Sequence, residues 1–177
     1  MRYRRSDVAG ATYFFTVNLA IRKNTLLVSE FDKLRTVINQ VKKHHPFKLD
    51  AMVVLPDHLH AIWTLPIDDT DFSKRWMLIK SGFSRNLTTD EEISVSRKKK
   101  GERGIWQRRY WEHLIRDEID YENHINYIHN NPVKHGYVNK AVNWPYSTIH
   151  EYIASGVLAA DWGCESDLEE QSYGEML

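Results

Sequence analysis

Two short stretches of this chain carry side chains that could do chemistry. The first is LPDHLHAIWTLP, Leu55 to Pro66, where His58 and His60 stand one residue apart in an apolar run. A strand points alternate side chains to opposite faces. The two imidazoles would then lie side by side, with Leu59, Ala61 and Trp63 on the other face. Such a pair is either two metal ligands or two accommodated core histidines. The second stretch is DYENHINYIHNNPVKHG, Asp120 to Gly136. Residues four apart share a helix face, so Tyr127 and Asn131 lie one turn apart, and Asn123 and His124 extend that face. A tyrosine on a helix is usually packing, and only the combination points further. Two imidazoles and an amide oxygen suit a divalent cation that keeps positions open for water or phosphate oxygen. A cation held there polarises a phosphodiester. A free phenol, with a pKa near ~10, is a weak nucleophile that needs such help. Its product would be a covalent phosphotyrosine, which conserves the bond energy for rejoining.

The elements that must position these groups follow from periodicity. Residues 12–20 are rich in β-branched and aromatic types and read as a strand. Residues 30–45 place Phe31, Leu34, Val37, Ile38 and Val41 at helical spacing, and Pro46 closes that helix. Residues 47–54 and 58–65 read as a hairpin across the Pro56-Asp57 turn. Residues 71–86 read as a second helix. Residues 87–104 are a polar loop with a basic run, Arg97 to Lys100. Residues 105–116 read as a fourth strand. A third helix is expected over 118–131, capped by Asp117 and ended by Pro132. The order β-α-β-β-α-β-α predicts an α+β, ferredoxin-like antiparallel sheet, with helices on one face and an extra helix carrying the tyrosine.

Composition sets the outer bounds. A chain of 177 residues with 42% hydrophobic content fits one domain, residues 1–150, with an extension over 151–177. No apolar run approaches the ~20 residues of a membrane helix. The charged start, Met1 to Arg5, has no apolar segment after it and does not read as a secretory signal. The single cysteine, Cys164, allows no internal disulfide and no cysteine metal cluster, and a reducing cytoplasm is the simplest setting. The net charge of zero hides an asymmetry. All 24 Lys and Arg lie in residues 1–150, whereas seven of the 24 Asp and Glu lie in 151–177, so the body carries +7 and the extension −7. A basic body suggests an anionic partner such as nucleic acid, and a solvated acidic tail is the plain alternative.

The stretches TYFFTVNL, PFKLDAMVVLPDHLHAIWTLP, IWQRRYWEHLIRD, YIHNNPVKHGYV and NWPYS span roughly residues 10 to 150. With them the chain resembles the single-tyrosine branch of the HUH endonuclease superfamily, and most closely the REP-associated tyrosine transposases of bacteria. The resemblance implies that Tyr127 is the nucleophile and that His58 and His60 are metal ligands. Asn131 falls where the superfamily puts its third ligand. It further implies magnesium or manganese, and cleavage of single-stranded DNA near an imperfect hairpin. That cleavage leaves a 5′-phosphotyrosine and a free 3′-hydroxyl. The hairpin would be a repetitive extragenic palindrome, and the protein a monomer on the bacterial nucleoid. The loop over 87–104 is longer than the family pattern suggests.

Contacts to DNA are expected in two places. Arg2, Arg4 and Arg5, with Tyr3, form a basic arm suited to phosphates. Arg108 and Arg109, with Trp106 and Trp111, mix charge with aromatic faces on which unpaired bases could stack. His44, His45, His113, His129 and His135 are poorer ligand candidates, and Tyr121 reads as packing. Two other functions stay open at this level. A catalytically silent hairpin-DNA-binding regulator has no need of Tyr127 in register with two ligands. A metal-dependent nuclease that uses water would tolerate Tyr127→Phe.

Overall fold

Along the first strand Tyr13, Phe15 and Val17 point one way and Phe14 and Thr16 the other, and both sets are buried. A strand buried on both faces must lie between two layers. The computed structural model describes residues 7–22, 25–88 and 93–163 and supplies both layers. In chain order the elements are β1 (Thr12–Asn18), α1 (Leu26–Ser29), α2 (Phe31–His44), β2 (Lys48–Val54), β3 (His58–Thr64), α3 (Phe72–Arg85), α4 (Val95–Lys98), β4 (Trp111–Leu114), α5 (Glu118–Lys134) and α6 (Ile149–Ala154). The strands form one antiparallel sheet in the order β2-β3-β1-β4. This is the expected α+β, ferredoxin-like arrangement.

Helices α2 and α3 cover one face. There Trp63 of β3 stacks on Trp76 of α3 at 4.1 Å and 17°, and Phe47 and Phe15 close around them. Each such aromatic pair adds about 0.5–1.5 kcal/mol beyond the area it buries. Arg75 ties the layer together. Its guanidinium donates to the carbonyls of His45, Pro46 and Asp71 and to the Asp69 carboxylate at 2.6 Å. Helix α5 covers the opposite face, packing Ile125, Tyr127 and Ile128 on Phe14, Ala51, Val53 and Ile62. Asp117 caps α5 by accepting from the Asp120 N–H at 2.8 Å, as the sequence predicts.

Three expected boundaries move. The fourth strand is only Trp111–Leu114, not 105–116. The carbonyls of Gln107 and Arg108 are taken by the Lys80 ammonium, at 2.6 and 3.3 Å, and Trp106 reaches the sheet through one bridge to Leu19. The polar loop contains a helical turn, α4. Pro132 does not end the third helix, which continues to Lys134. Proline removes one N–H and is costly in mid-helix, but here little helix remains beyond it. The helix closes with the Tyr137 N–H on the Pro132 carbonyl and the Gly136 N–H on the Val133 carbonyl, with Gly136 at φ +70°. That paired closure, with a left-handed glycine, is the Schellman turn.

After α5 the chain wraps the edge of the sheet. The Tyr146 carbonyl accepts from the Val54 N–H, the Thr148 N–H donates to Met52, and the Trp144 indole donates to the Val54 carbonyl at 2.9 Å. These bonds occupy backbone groups that an open β2 edge would expose. His129, on the outer side of α5, is buried under this wrap. Its Nε2 lies 3.1 Å from Thr148 Oγ1, and Tyr152 and Trp162 meet its ring edge-on. Burial, helped by the charge of His150, pushes its pKa down to about 4. An unfolded histidine titrates near ~6.5, so the unfolded chain takes up this proton first. The stability from neutral His129 is therefore full above pH ~6.5 and is lost as pH falls from there through about 4. At 1.36 kcal/mol per pK unit the loss is about 3 kcal/mol. Urea unfolding at pH 7 and pH 4 is expected to show a smaller pH dependence in His129→Gln than in wild type. Equal pH dependence in the two would refute this assignment.

Candidate metal and tyrosine site

The alternation of β3 decides where its histidines go. His58 lies opposite Asn18 and His60 opposite Thr16, so both imidazoles point at α5 while Leu59, Ala61 and Trp63 enter the other core. Both are buried, and their rings stand 5.0 Å apart at 85°. His60 is held at Nδ1 by Thr16 Oγ1 at 2.9 Å and stacks on Phe14. His58 Nδ1 meets Asp57 Oδ1 at 2.6 Å. The other oxygen of Asp57 accepts from Arg22 Nε at 2.6 Å, and Arg22 also donates to Asn18 Oδ1.

The Asp57 carboxylate fixes the His58 tautomer. Burial pushes the Asp57 carboxyl up, but hydrogen bonds from His58 and Arg22 outweigh it and hold it below its ordinary range. Burial pushes the His58 pKa down against the pull of Asp57, so the ring is neutral. A neutral imidazole that donates from Nδ1 carries its lone pair on Nε2. That Nε2 is buried and meets no hydrogen-bond partner among the described residues. An orphaned imidazole nitrogen, backed by a carboxylate on the opposite nitrogen, is the arrangement that metal-ligating histidines show.

Helix α5 brings the tyrosine to this pair. The buried Tyr127 ring lies 5.2 Å from His60 at 70° and 6.0 Å from Phe14, and the Lys134 ammonium sits 4.9 Å over it. Asn131, one turn on, is fully buried. His135, set aside on sequence grounds, lies 5.4 Å from His58. The donor set of His58, His60 and Asn131 fits a divalent cation of borderline to hard character.

A second group lies under the same helix and was missed as a group. His113 Nε2 meets Asp120 Oδ2 at 2.8 Å, and His124 Nδ1 lies 3.1 Å from Asp120 Oδ1 and 2.7 Å from the Asp120 carbonyl. Ligand atoms of these three residues fall within 4.8 Å of one another, so the group could hold a metal ion. The signal was the i, i+4 spacing of Asp120 and His124. Its carboxylate is already occupied, accepting from His113 and from the Arg116 N–H at 3.0 Å. Phe14 separates the two groups, with its ring 5.5 Å from His60 and 4.7 Å from His124.

The expected DNA contacts are more scattered. Arg2, Arg4 and Arg5, with Tyr3, lie outside the described residues, as do residues 164–177 of the acidic extension. Trp106, expected as a stacking surface, is buried instead, edge-on to Phe83 with its indole donating to the Lys80 carbonyl. Trp111 is half-buried, lying parallel to His113 and edge-on to Phe14. Arg109 is exposed. Arg108 is exposed but bonded to Glu102 and Ser96. No helix among the described residues is long and apolar enough to cross a membrane.

The chain is similar to known proteins over nearly its full length. Residues 8–131 match the family model described as "Transposase IS200 like". A REP-associated tyrosine transposase of Escherichia coli K12 is 44% identical over 175 residues, which is 99% of this chain and 97% of the relative. A Haemophilus influenzae protein provisionally assigned to the same group is 41% identical over 168 residues, 94% of this chain and 96% of that one. A solved structure of a REP-associated tyrosine transposase bound to a REP hairpin superposes with a TM-score of 0.81 at 43% identity, covering 98% of each chain.

Partners behind metal-ligating histidines typically change metal affinity by 10–100-fold when removed. Asp57→Asn should therefore bind manganese about tenfold or more weakly than wild type, by calorimetric titration. Unchanged affinity would show that His58 is not a ligand.

Proposed function

Because the chain belongs to the IS200-like transposases, and within them to the REP-associated tyrosine transposases, we propose that it is a metal-dependent, single-stranded DNA endonuclease and transesterase acting on REP-like hairpin DNA. The observation that carries this reading is the buried Tyr127 ring packed 5.2 Å from His60, on the face where the orphaned His58 nitrogen points. A water-using nuclease has no need of a phenol at that place. The hairpin substrate is supported by the full-length likeness to a relative solved with a REP hairpin.

In this mechanism Tyr127 Oη attacks the phosphorus of the scissile phosphodiester. The Tyr–O–P bond forms, the bond to the 3′ oxygen breaks, and the phenolic proton passes through solvent to the leaving 3′ oxygen. The products are a 5′-phosphotyrosine and a free 3′-hydroxyl. Attack by a 3′-hydroxyl on the phosphotyrosine reverses the exchange and joins strands without an external energy source. His58, His60 and Asn131 would hold the cation, magnesium or manganese. When bound, it supplies Lewis-acid polarisation of the phosphate. Asp57 and Thr16 orient the two imidazoles. Lys134 adds positive charge beside the tyrosine, where the DNA phosphate must arrive. The arm residues Arg2, Arg4 and Arg5, together with Arg108, Arg109 and the exposed part of Trp111, would neutralise or stack on DNA away from the chemistry. Tyr127, His58, His60 and Asn131 meet within a single chain, so a monomer could supply all the reacting groups.

The test is a denaturing gel of labelled single-stranded hairpin DNA with magnesium or manganese. Wild type should form a covalent protein–DNA adduct. Tyr127→Phe should abolish it, and His58→Ala should lower it by at least ~100-fold, the scale on which loss of one essential group acts. Cleavage that survives Tyr127→Phe would replace this reading with a water-using nuclease. Hairpin binding with no adduct would replace it with a regulator.

A further inference from the structure

A line of aromatic rings leaves the histidine pair, comes to the surface at His135 and Tyr137 and ends on the edge of β2, and nothing in the mechanism uses it. It begins at His58, with the His135 ring 5.4 Å away. Tyr137 stacks on His135 at 6.0 Å and 28°. Trp144 stacks on Tyr137 at 5.2 Å, also at 28°. Tyr146 meets Trp144 edge-on at 5.5 Å.

This arrangement is built by the backbone. The Schellman turn after α5, with Gly136 in the left-handed region, reverses the chain so that Tyr137 returns over His135. Trp144 and Tyr146 are fixed to the edge of β2, Trp144 through its indole N–H on Val54 and Tyr146 through its carbonyl. The floor of the line is therefore rigid, whereas its top is in water. His135 is exposed, and Tyr137 is 44% exposed. Trp144 and Tyr146 lean on the two cores, but His135 and Tyr137 do not, and rings kept only for packing would be expected there, as Trp63 and Trp76 are. Cations flank the line at the inner end. Arg22 is exposed and acts electrostatically on the Tyr137 phenol, and Lys134 stands over Tyr127.

Near-parallel aromatic rings with cations at their inner end match the chemistry of an unpaired nucleic-acid strand, whose bases stack and whose phosphates pair with the charges. We propose that His135, Tyr137 and Trp144 form a stacking site for unpaired DNA bases next to the scissile phosphate. This rests on the reading of the substrate as hairpin DNA with single-stranded flanks. Stacking accepts any base, so the site would hold the strand in place rather than read its sequence. Its role is to register the phosphate against Tyr127.

The test uses the full-length protein and a REP-type hairpin with short unpaired flanks. The fluorescent base 2-aminopurine replaces the flank bases one at a time, without metal, so that no cleavage is needed. Wild type should quench the probe at one or more positions. Tyr137→Ala should lose that quenching and bind the flanked hairpin about tenfold more weakly, the scale of one lost base stack. Tyr137→Phe should retain both, and His135→Ala should weaken quenching at the same positions. The hairpin without flanks should bind wild type and Tyr137→Ala equally. Undiminished quenching in Tyr137→Ala would overturn the proposal, and so would an equal loss of affinity for the flankless hairpin. The two readings fail separately. A wild-type covalent adduct with unchanged quenching in Tyr137→Ala sinks only the stacking site. Tyr137-dependent quenching with no Tyr127 adduct sinks only the transesterase.

Discussion

Strand β3 lies inside the sheet, paired to β1 on one side and β2 on the other, and its register controls everything above it. With His60 opposite Thr16 and His58 opposite Asn18, both imidazoles face α5. A slip of one residue would turn them into the α2–α3 core and bring Leu59 and Ala61 under the helix. Trp63 guards against that slip. It lies flat on Trp76 and tilted against Phe15 and Phe47, contacts that a slip would break. The apolar half of β3 thus specifies the place of its polar half.

Holding two imidazoles in that position is costly. A buried polar group without a partner costs roughly 1–3 kcal/mol. The fold offsets most of this cost at the Nδ1 atoms, with Thr16 behind His60 and Asp57 behind His58. It leaves His58 Nε2 without a hydrogen bond among the described residues. Hydrophobic side chains would stabilise the same face better, as Ile62 does two residues later. The retained polarity is what a ligand-binding site would require. The His113–Asp120–His124 group follows another logic, because its carboxylate is consumed by internal hydrogen bonds. It ties β4 to the first turns of α5, the helix that carries Tyr127.

How far the sequence reveals this depends on the range of the interaction involved. The alternation in HLHAIWT places His58 and His60 on one face, and the four-residue interval places Asn131 one turn beyond Tyr127. Both are local geometry and both are legible. The Asp117 cap is local too. The short β4 is not, because the Lys80 side chain that takes the Gln107 and Arg108 carbonyls lies 27 and 28 residues away. Trp106 was read as a stacking surface from its basic neighbours, yet its burial is set by Phe83 on α3. Pro132 was read as a terminator from its missing N–H, but the position of a proline within the last turn outweighs its identity. The line from His135 to Trp144 depends on a glycine turn and a β2 edge that no spacing rule connects. NWPYS could be seen as a docking point, but not what it docks beside.

The most direct test of the central claim is to locate the metal. Crystals of the full-length protein grown with manganese should show an anomalous scattering peak within bonding distance of His58 Nε2 and His60, next to the Tyr127 hydroxyl. A peak held by His113, Asp120 and His124, with none at His58 and His60, would contradict the account and move the chemistry away from Tyr127.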